Sequence, residues 1–128
     1  MTGFNRELFT NKTILVAGAG KGIGLACAKM AAACGAKVIA VARTQSDLDA
    51  LVKLYPEQIE AWAMDVTSES FYQRVKSLPA LHGLVNNAGI NRVGPMEDQP
   101  NENIDAVIDL NIRTLYKISQ AAITPMKK

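Results

Sequence analysis

The sequence predicts an α/β protein, a doubly wound parallel sheet covered by helices on both faces, and three observations carry that expectation. Short apolar runs alternate four times with helix-like segments over 128 residues. The first run, residues 12–17, is continuously apolar instead of alternating, as in a strand buried on both sides. The first run enters the first helix through Gly18, Gly20, Gly22 and Gly24, four glycines within seven residues. Right-handed crossovers are expected between such strands.

Residues 12–17 read as the first strand. From Gly22 a run of small helix formers can lie close to a sheet, and Gly35 provides its stop. Residues 36–42 form the second strand. Thr44 and Asp47 have the spacing of a capping box, and Leu48, Leu51, Val52 and Tyr55 recur at helical intervals until Pro56. A third strand over residues 58–64 ends at Asp65. Ser68 can then cap a helix with Phe71, Val75 and Leu78 inward and Pro79 as its end. Residues 81–86 make a fourth strand whose apolar edge is blunted only by His82. Gly94, Pro95 and Pro100 mark residues 89–100 as a loop before a long helix from about Asn101. The stripe of that helix is Ile104, Ile108, Leu115, Ile118 and Ala122, with Asn111 completing the repeat where a core residue is expected.

Composition excludes several classes. With 48% hydrophobic and 20% charged residues the chain suits one domain with a core, neither disordered nor a membrane protein. A net charge of +2, with Lys and Arg scattered, gives no reason to expect a nucleic-acid partner. The first residues lack an apolar run of signal length, and no stretch approaches the roughly 18 apolar residues of a membrane span. A cytoplasmic location is therefore expected. Cys27 and Cys34 lie seven apart on one predicted helix, too distant for a disulfide, and read as core thiols.

The chemistry concentrates at strand ends. Gly-x-Gly-x-x-Gly does not fit, because Gly18 and Gly20 would require glycine at Ile23, and Gly20 and Gly22 would require it at Leu25. Gly18-x-x-x-Gly22-x-Gly24 does fit. A strand that turns into a helix through glycines brings backbone amides and the positive helix end up to a pyrophosphate. A ligand-free tight turn would use the same residues, and the βαβ setting favours the nucleotide. An acid ending the second strand would hold the ribose hydroxyls of NAD, but Ala42, Arg43 and Thr44 stand there. Arg43 can clasp a 2′-phosphate with two hydrogen bonds, Lys21 can add charge and Thr44 a hydroxyl, which points to NADP(H); the other reading is a solvated surface pair. Asp65 can accept from the adenine amino group or cap the next helix. Asn86 and Asn87 suit close cofactor contact or a plain turn. Asn111 must be hydrogen-bonded if buried, whether as a core asparagine or a functional one. His82 and Trp62 read as structural.

Taken together, Gly18-x-x-x-Gly22-Ile23-Gly24, Asp65-Val66, Asn86-Asn87-Ala88-Gly89 and the helical Asn111 resemble the short-chain dehydrogenase/reductase family along essentially the whole chain. The stretches around Lys21 and Arg43 resemble its NADPH-dependent carbonyl and L-xylulose reductase subgroup. The resemblance implies a Rossmann-like fold with strand order 3-2-1-4 in the part present, and an NADP(H)-dependent oxidoreductase that interconverts a small carbonyl compound and an alcohol by hydride transfer. It implies cofactor contacts from Gly18, Gly20, Lys21, Gly22, Ile23, Gly24, Arg43, Thr44, Asp65, Val66, Asn87, Ala88 and Gly89, and a catalytic Asn111 that holds a water in a proton relay. It also implies a homo-oligomer, dimer or tetramer, through the long helix.

Two departures matter. Ala17 stands where the family usually has threonine, which predicts a slightly looser glycine loop. The family's catalytic Ser strand and Tyr-x-x-x-Lys pair are not expected within these residues: Tyr116-Lys117 has the wrong spacing, and Tyr55 and Tyr72 are read as having no lysine four residues on. The expectation is thus a cofactor-binding half, truncated before the Ser strand and inactive alone. A non-catalytic nucleotide-binding module or assembly fragment is the alternative.

Overall fold

The computed structural model describes residues 3–128. Its strands β1 (Thr13–Ala17), β2 (Lys37–Ala42), β3 (Ile59–Ala63) and β4 (Gly83–Asn86) form one parallel sheet in the order β3-β2-β1-β4, as expected. Helices α1 (Gly22–Ala33), α2 (Gln45–Leu54) and α3 (Glu69–Lys76) are the crossovers between successive strands. The long terminal helix comprises α4 (Asn101–Ile108), a π-helical stretch over Asp109–Thr114, and α5 (Leu115–Met126).

Strand periodicity divides the interior into two cores. Leu15, Ala17, Ile39, Val41 and Trp62 face α3 and α5, meeting Phe71, Val75 and Ile118. The intervening residues Val16, Val38 and Ala40 point the opposite way, onto the alanines of α1 and onto Leu48 and Leu51 of α2. Both faces of β1 and β2 are therefore dry, which is why those strands read as continuous apolar runs. A side chain the size of Leu15 or Ile39 contributes about 2–3 kcal/mol when fully buried. Trp62 belongs to this core, with its ring edge-on to Phe71 at 6.3 Å.

Local signals set the ends of the elements. Gly35, at φ +91°, terminates α1 as expected. Ser68 accepts a hydrogen bond from the Phe71 amide at 3.3 Å and caps α3. The capping box proposed for α2 does not form: Thr44 is the N-cap residue, but its side chain makes no capping bond. Cys34 is buried, Cys27 is partly so, and both are free thiols. His82 extends the β1 ladder, since its amide donates to Thr13 O at 2.9 Å and its Nδ1 accepts from Thr13 N at 3.0 Å. Its role is structural. Among the described strands, β4 pairs with β1 alone.

The stripe expected on the long helix is correct only in its second half. Ile118 and Ala122 are buried, but Ile104 and Ile108 are each more than 40% exposed. The π stretch explains the slip, because its wider turn breaks the 3.6-residue period on which the stripe was read. Ala106, Val107 and Leu110 are half-buried where the two isoleucines are exposed, and Thr114 is buried. No helix among the described residues is long and apolar enough to cross a membrane.

Candidate cofactor-binding site

Each glycine of the turn has its own reason. Gly18 has φ +83°, its amide and that of Ala19 donate to Val41 O at 3.0 and 2.9 Å, and a Cβ on it would lie 2.9 Å from the Ala88 amide nitrogen. A Cβ on Gly24 would collide with Gly18 O and stand 2.7 Å from Asn87 Nδ2, so only glycine lets α1 start this close to the turn. Gly22 has φ +56° and would meet nothing within 4 Å. Lys21 is its N-cap residue in extended conformation and makes no side-chain cap, leaving the first amides of α1 free to face a ligand. Asn87 fastens the loop: its amide donates to Ala17 O at 3.1 Å and its Nδ2 donates to Gly18 O at 3.3 Å.

A cleft of about 640 Å³ opens where β1 to β4 end, the place where open α/β sheets bind ligands. It gathers ten of the residues singled out from the sequence: Gly18, Gly20 and Lys21 from the first turn, Arg43 and Thr44 after β2, Asp65 and Val66 after β3, and Asn87, Ala88 and Gly89 after β4. Gly22, Ile23, Gly24 and Asn111 are not part of its wall. Ile23 is 73% exposed at the start of α1. Sequence reasoning missed Asp47, Arg92 and Leu110, which line the same cleft.

Two asparagines tie the chain together at this end of the sheet. Asn86 does not face the cleft: its Nδ2 donates to Leu115 O at 3.2 Å and Ser119 Oγ at 2.9 Å, fastening β4 to α5. Asn111 spends both amide atoms on one residue, accepting from Ile90 N at 2.8 Å and donating to Ile90 O at 2.7 Å. This two-bond clasp imitates a strand partner and holds the loop after Gly89. It satisfies the half-buried amide that the periodicity had placed in the core.

Electrostatics separate the two readings of Asp65. Its Oδ1 accepts from Thr67 N at 2.8 Å and Thr67 Oγ1 at 2.7 Å, and these bonds, with a smaller contribution from the Arg43 charge, lower its carboxyl below the usual range. The cap of α3 is Ser68 and not Asp65, so the carboxylate stays at the cleft as an anion.

A further correction concerns tyrosine. Tyr72 stands four residues before Lys76, so the literal Tyr-x-x-x-Lys spacing does occur once. It is not an acid/base pair in this setting. Tyr72 is only 5% exposed in the core under α5, away from the cleft wall. Burial raises its phenol above the ordinary value, outweighing a hydrogen bond with Thr114, whereas a proton donor at neutral pH needs the opposite shift.

Fold and site together define an α/β protein with a dinucleotide-type glycine turn. The chain matches the family described as short chain dehydrogenase over residues 12–128. It is 38% identical to L-xylulose reductase of Homo sapiens over 116 residues, which is 89% of this chain and 47% of that protein. It is 34% identical to carbonyl reductase [NADPH] 2 of Sus scrofa over 119 residues, 92% of this chain and 48% of that one. It superposes with a TM-score of 0.82 and 26% identity on a chain from Escherichia coli CFT073 that is classed with the short chain dehydrogenases and complexed with NADPH, covering 94% of this chain and 55% of the other. The protein belongs to the short-chain dehydrogenase family. It spans about half the length of the curated relatives it matches.

Proposed function

We propose that this chain is the NADP(H)-binding part of an oxidoreductase that interconverts a small carbonyl compound and an alcohol, and that sequence outside the 128 residues supplies the serine, tyrosine and lysine of proton transfer. The observation that carries the reading is the cleft itself. Two cations and a hydroxyl, Lys21, Arg43 and Thr44, share its wall with a glycine turn that only glycine can build. Bound NADP(H) supplies or accepts the hydride.

The free amides of α1 and its positive end receive the pyrophosphate. Arg43 and Lys21 bind the 2′-phosphate, and Arg43 suits it best because its planar fork makes two parallel bonds. Asp65 and Val66 border the adenine, and Asn87, Ala88 and Gly89 line the channel beyond it. Asn111 acts as a positioning residue: with its amide committed to Ile90, it fixes the wall of the site. Relatives named as an L-xylulose reductase and an NADPH-dependent carbonyl reductase support this substrate class and cofactor. A homo-oligomer formed through the helix from Asn101 accounts for the exposure of Ile104, Ile108 and Ile112 at four-residue steps.

Fluorescence titration of the chain with NADPH and NADH tests the cofactor. NADPH should bind at least about tenfold more tightly, the scale of one charge-assisted contact. Equal affinities, or a preference for NADH, would refute the roles given to Arg43 and Lys21. Tight NADPH binding with no turnover in the longest natural form of the protein would favour the non-catalytic module.

A further inference from the structure

Six charged side chains line the cleft: Lys21, Arg43 and Arg92 against Asp47, Asp65 and Asp109. A site for a polyanion thus has as many acids as bases, and the acids differ in what engages them. Asp65 is held by Thr67, and Asp109 pairs with Arg113 at 2.9 Å. Asp47 has no such engagement. The capping role that its spacing suggests is not taken up, and among the described residues no hydrogen bond or ion pair occupies its carboxylate. It is half-buried in the first turn of α2, and its Oδ2 lies 3.2 Å from the place a Cβ on Gly20 would take. The carboxylate therefore rests against the glycine turn, and a side chain at residue 20 would displace it.

From this placement we infer that Asp47 is a specificity-determining residue at the adenosine end, accepting a ribose hydroxyl and limiting affinity for the 2′-phosphate. The inference rests on the NADP(H) reading. An ionised carboxylate offers acceptors only, so a ribose hydroxyl can donate to it. A 2′-phosphate, carrying a charge of about −1.5 to −2 near neutral pH, is repelled by the same group. Arg43 and Lys21 attract that phosphate against a built-in opposing charge. Binding is held moderate, and NAD(H) keeps a foothold in the same cleft.

Calorimetric titration of the wild type, Asp47→Asn, Asp47→Glu and Arg43→Ala with adenosine 2′,5′-bisphosphate and adenosine 5′-monophosphate tests the inference, because the two probes differ only in the 2′-phosphate. Asp47→Asn should bind the bisphosphate about three- to tenfold more tightly at low salt, with the gain shrinking as salt is added, and the monophosphate no more tightly than the wild type does. Asp47→Glu, which keeps the charge, should keep the wild-type ratio. An unchanged or lowered ratio in Asp47→Asn overturns the inference. Should that variant fail to fold, Asp47→Ser carries the same expectation. A wild type with no preference for the bisphosphate, unaltered by Arg43→Ala, would sink the NADP(H) reading alone; the role of Asp47 then stands if Asp47→Asn creates the preference and falls if it does not.

Discussion

Thr67 controls Asp65 through two short hydrogen bonds to one carboxylate oxygen, and the consequence is a pH dependence with a defined sign. The folded-state pKa of Asp65 lies below its ordinary value of 3.8. Its contribution to stability is therefore fully present above 3.8 and is lost as the pH falls through the lower folded value. Thr67→Val removes the hydroxyl and keeps the backbone donor, so the Asp65 carboxyl should titrate at higher pH in that variant, followed by carbon-detected NMR. An unmoved midpoint would mean that the backbone bond alone sets the shift. Gly24 offers a second test at this scale. Gly24→Ala forces a methyl into Gly18 O, a backbone atom that cannot yield alone. We expect a loss of about 1–3 kcal/mol in urea unfolding, together with loss of NADPH binding out of proportion to the fraction unfolded.

Among the elements, β1 and β2 are legible because burial on both faces leaves continuous apolar runs, and the other strands and the crossover helices because glycine, proline and capping residues mark their ends. Residues 81–86 were read as a strand although its regular part is only Gly83–Asn86, and Leu81 proved to be core beside it. The terminal helix was less legible. A uniform 3.6-residue period predicts a single stripe, whereas the π stretch over Asp109–Thr114 shifts the phase, exposing Ile104 and Ile108 and burying Thr114. Asn111 carried a partial signal, a polar residue at a core position, but Ile90 lies 21 residues away and nothing local names it as partner. Thr44 and Asp47 had the spacing of a capping box and do not form one. The sequence-level signal for Asp47 as a wall of the cleft was its place four residues beyond Arg43, on the first turn after β2. Asn111→Leu should cost about 1–3 kcal/mol, because it strands the Ile90 amide and carbonyl together. Hydrogen exchange should then quicken at Ile90, and unchanged protection there would show that the clasp does not hold the loop.

For the whole molecule, the exposed face of the long helix is where the proposed assembly can be tested. Ile112 is 63% exposed and Tyr116 is 78% exposed, one turn apart beside Ile108. Ile112→Asp should shift sedimentation toward the monomer while leaving the circular dichroism spectrum unchanged; an unaltered sedimentation profile would place the contact on another surface. The ligand cleft has a different global requirement. Gly18 and Asn87 are 69 residues apart in the chain, yet the turn is completed only when Asn87 reaches Gly18 O and Ala88 closes on the space a Cβ would need. The chain must therefore bring its β1 and β4 ends together before a dinucleotide finds a finished cradle, and the entropy of closing so long a loop is lost before any binding is gained. Ligand affinity during refolding would therefore report the docking of the fourth strand.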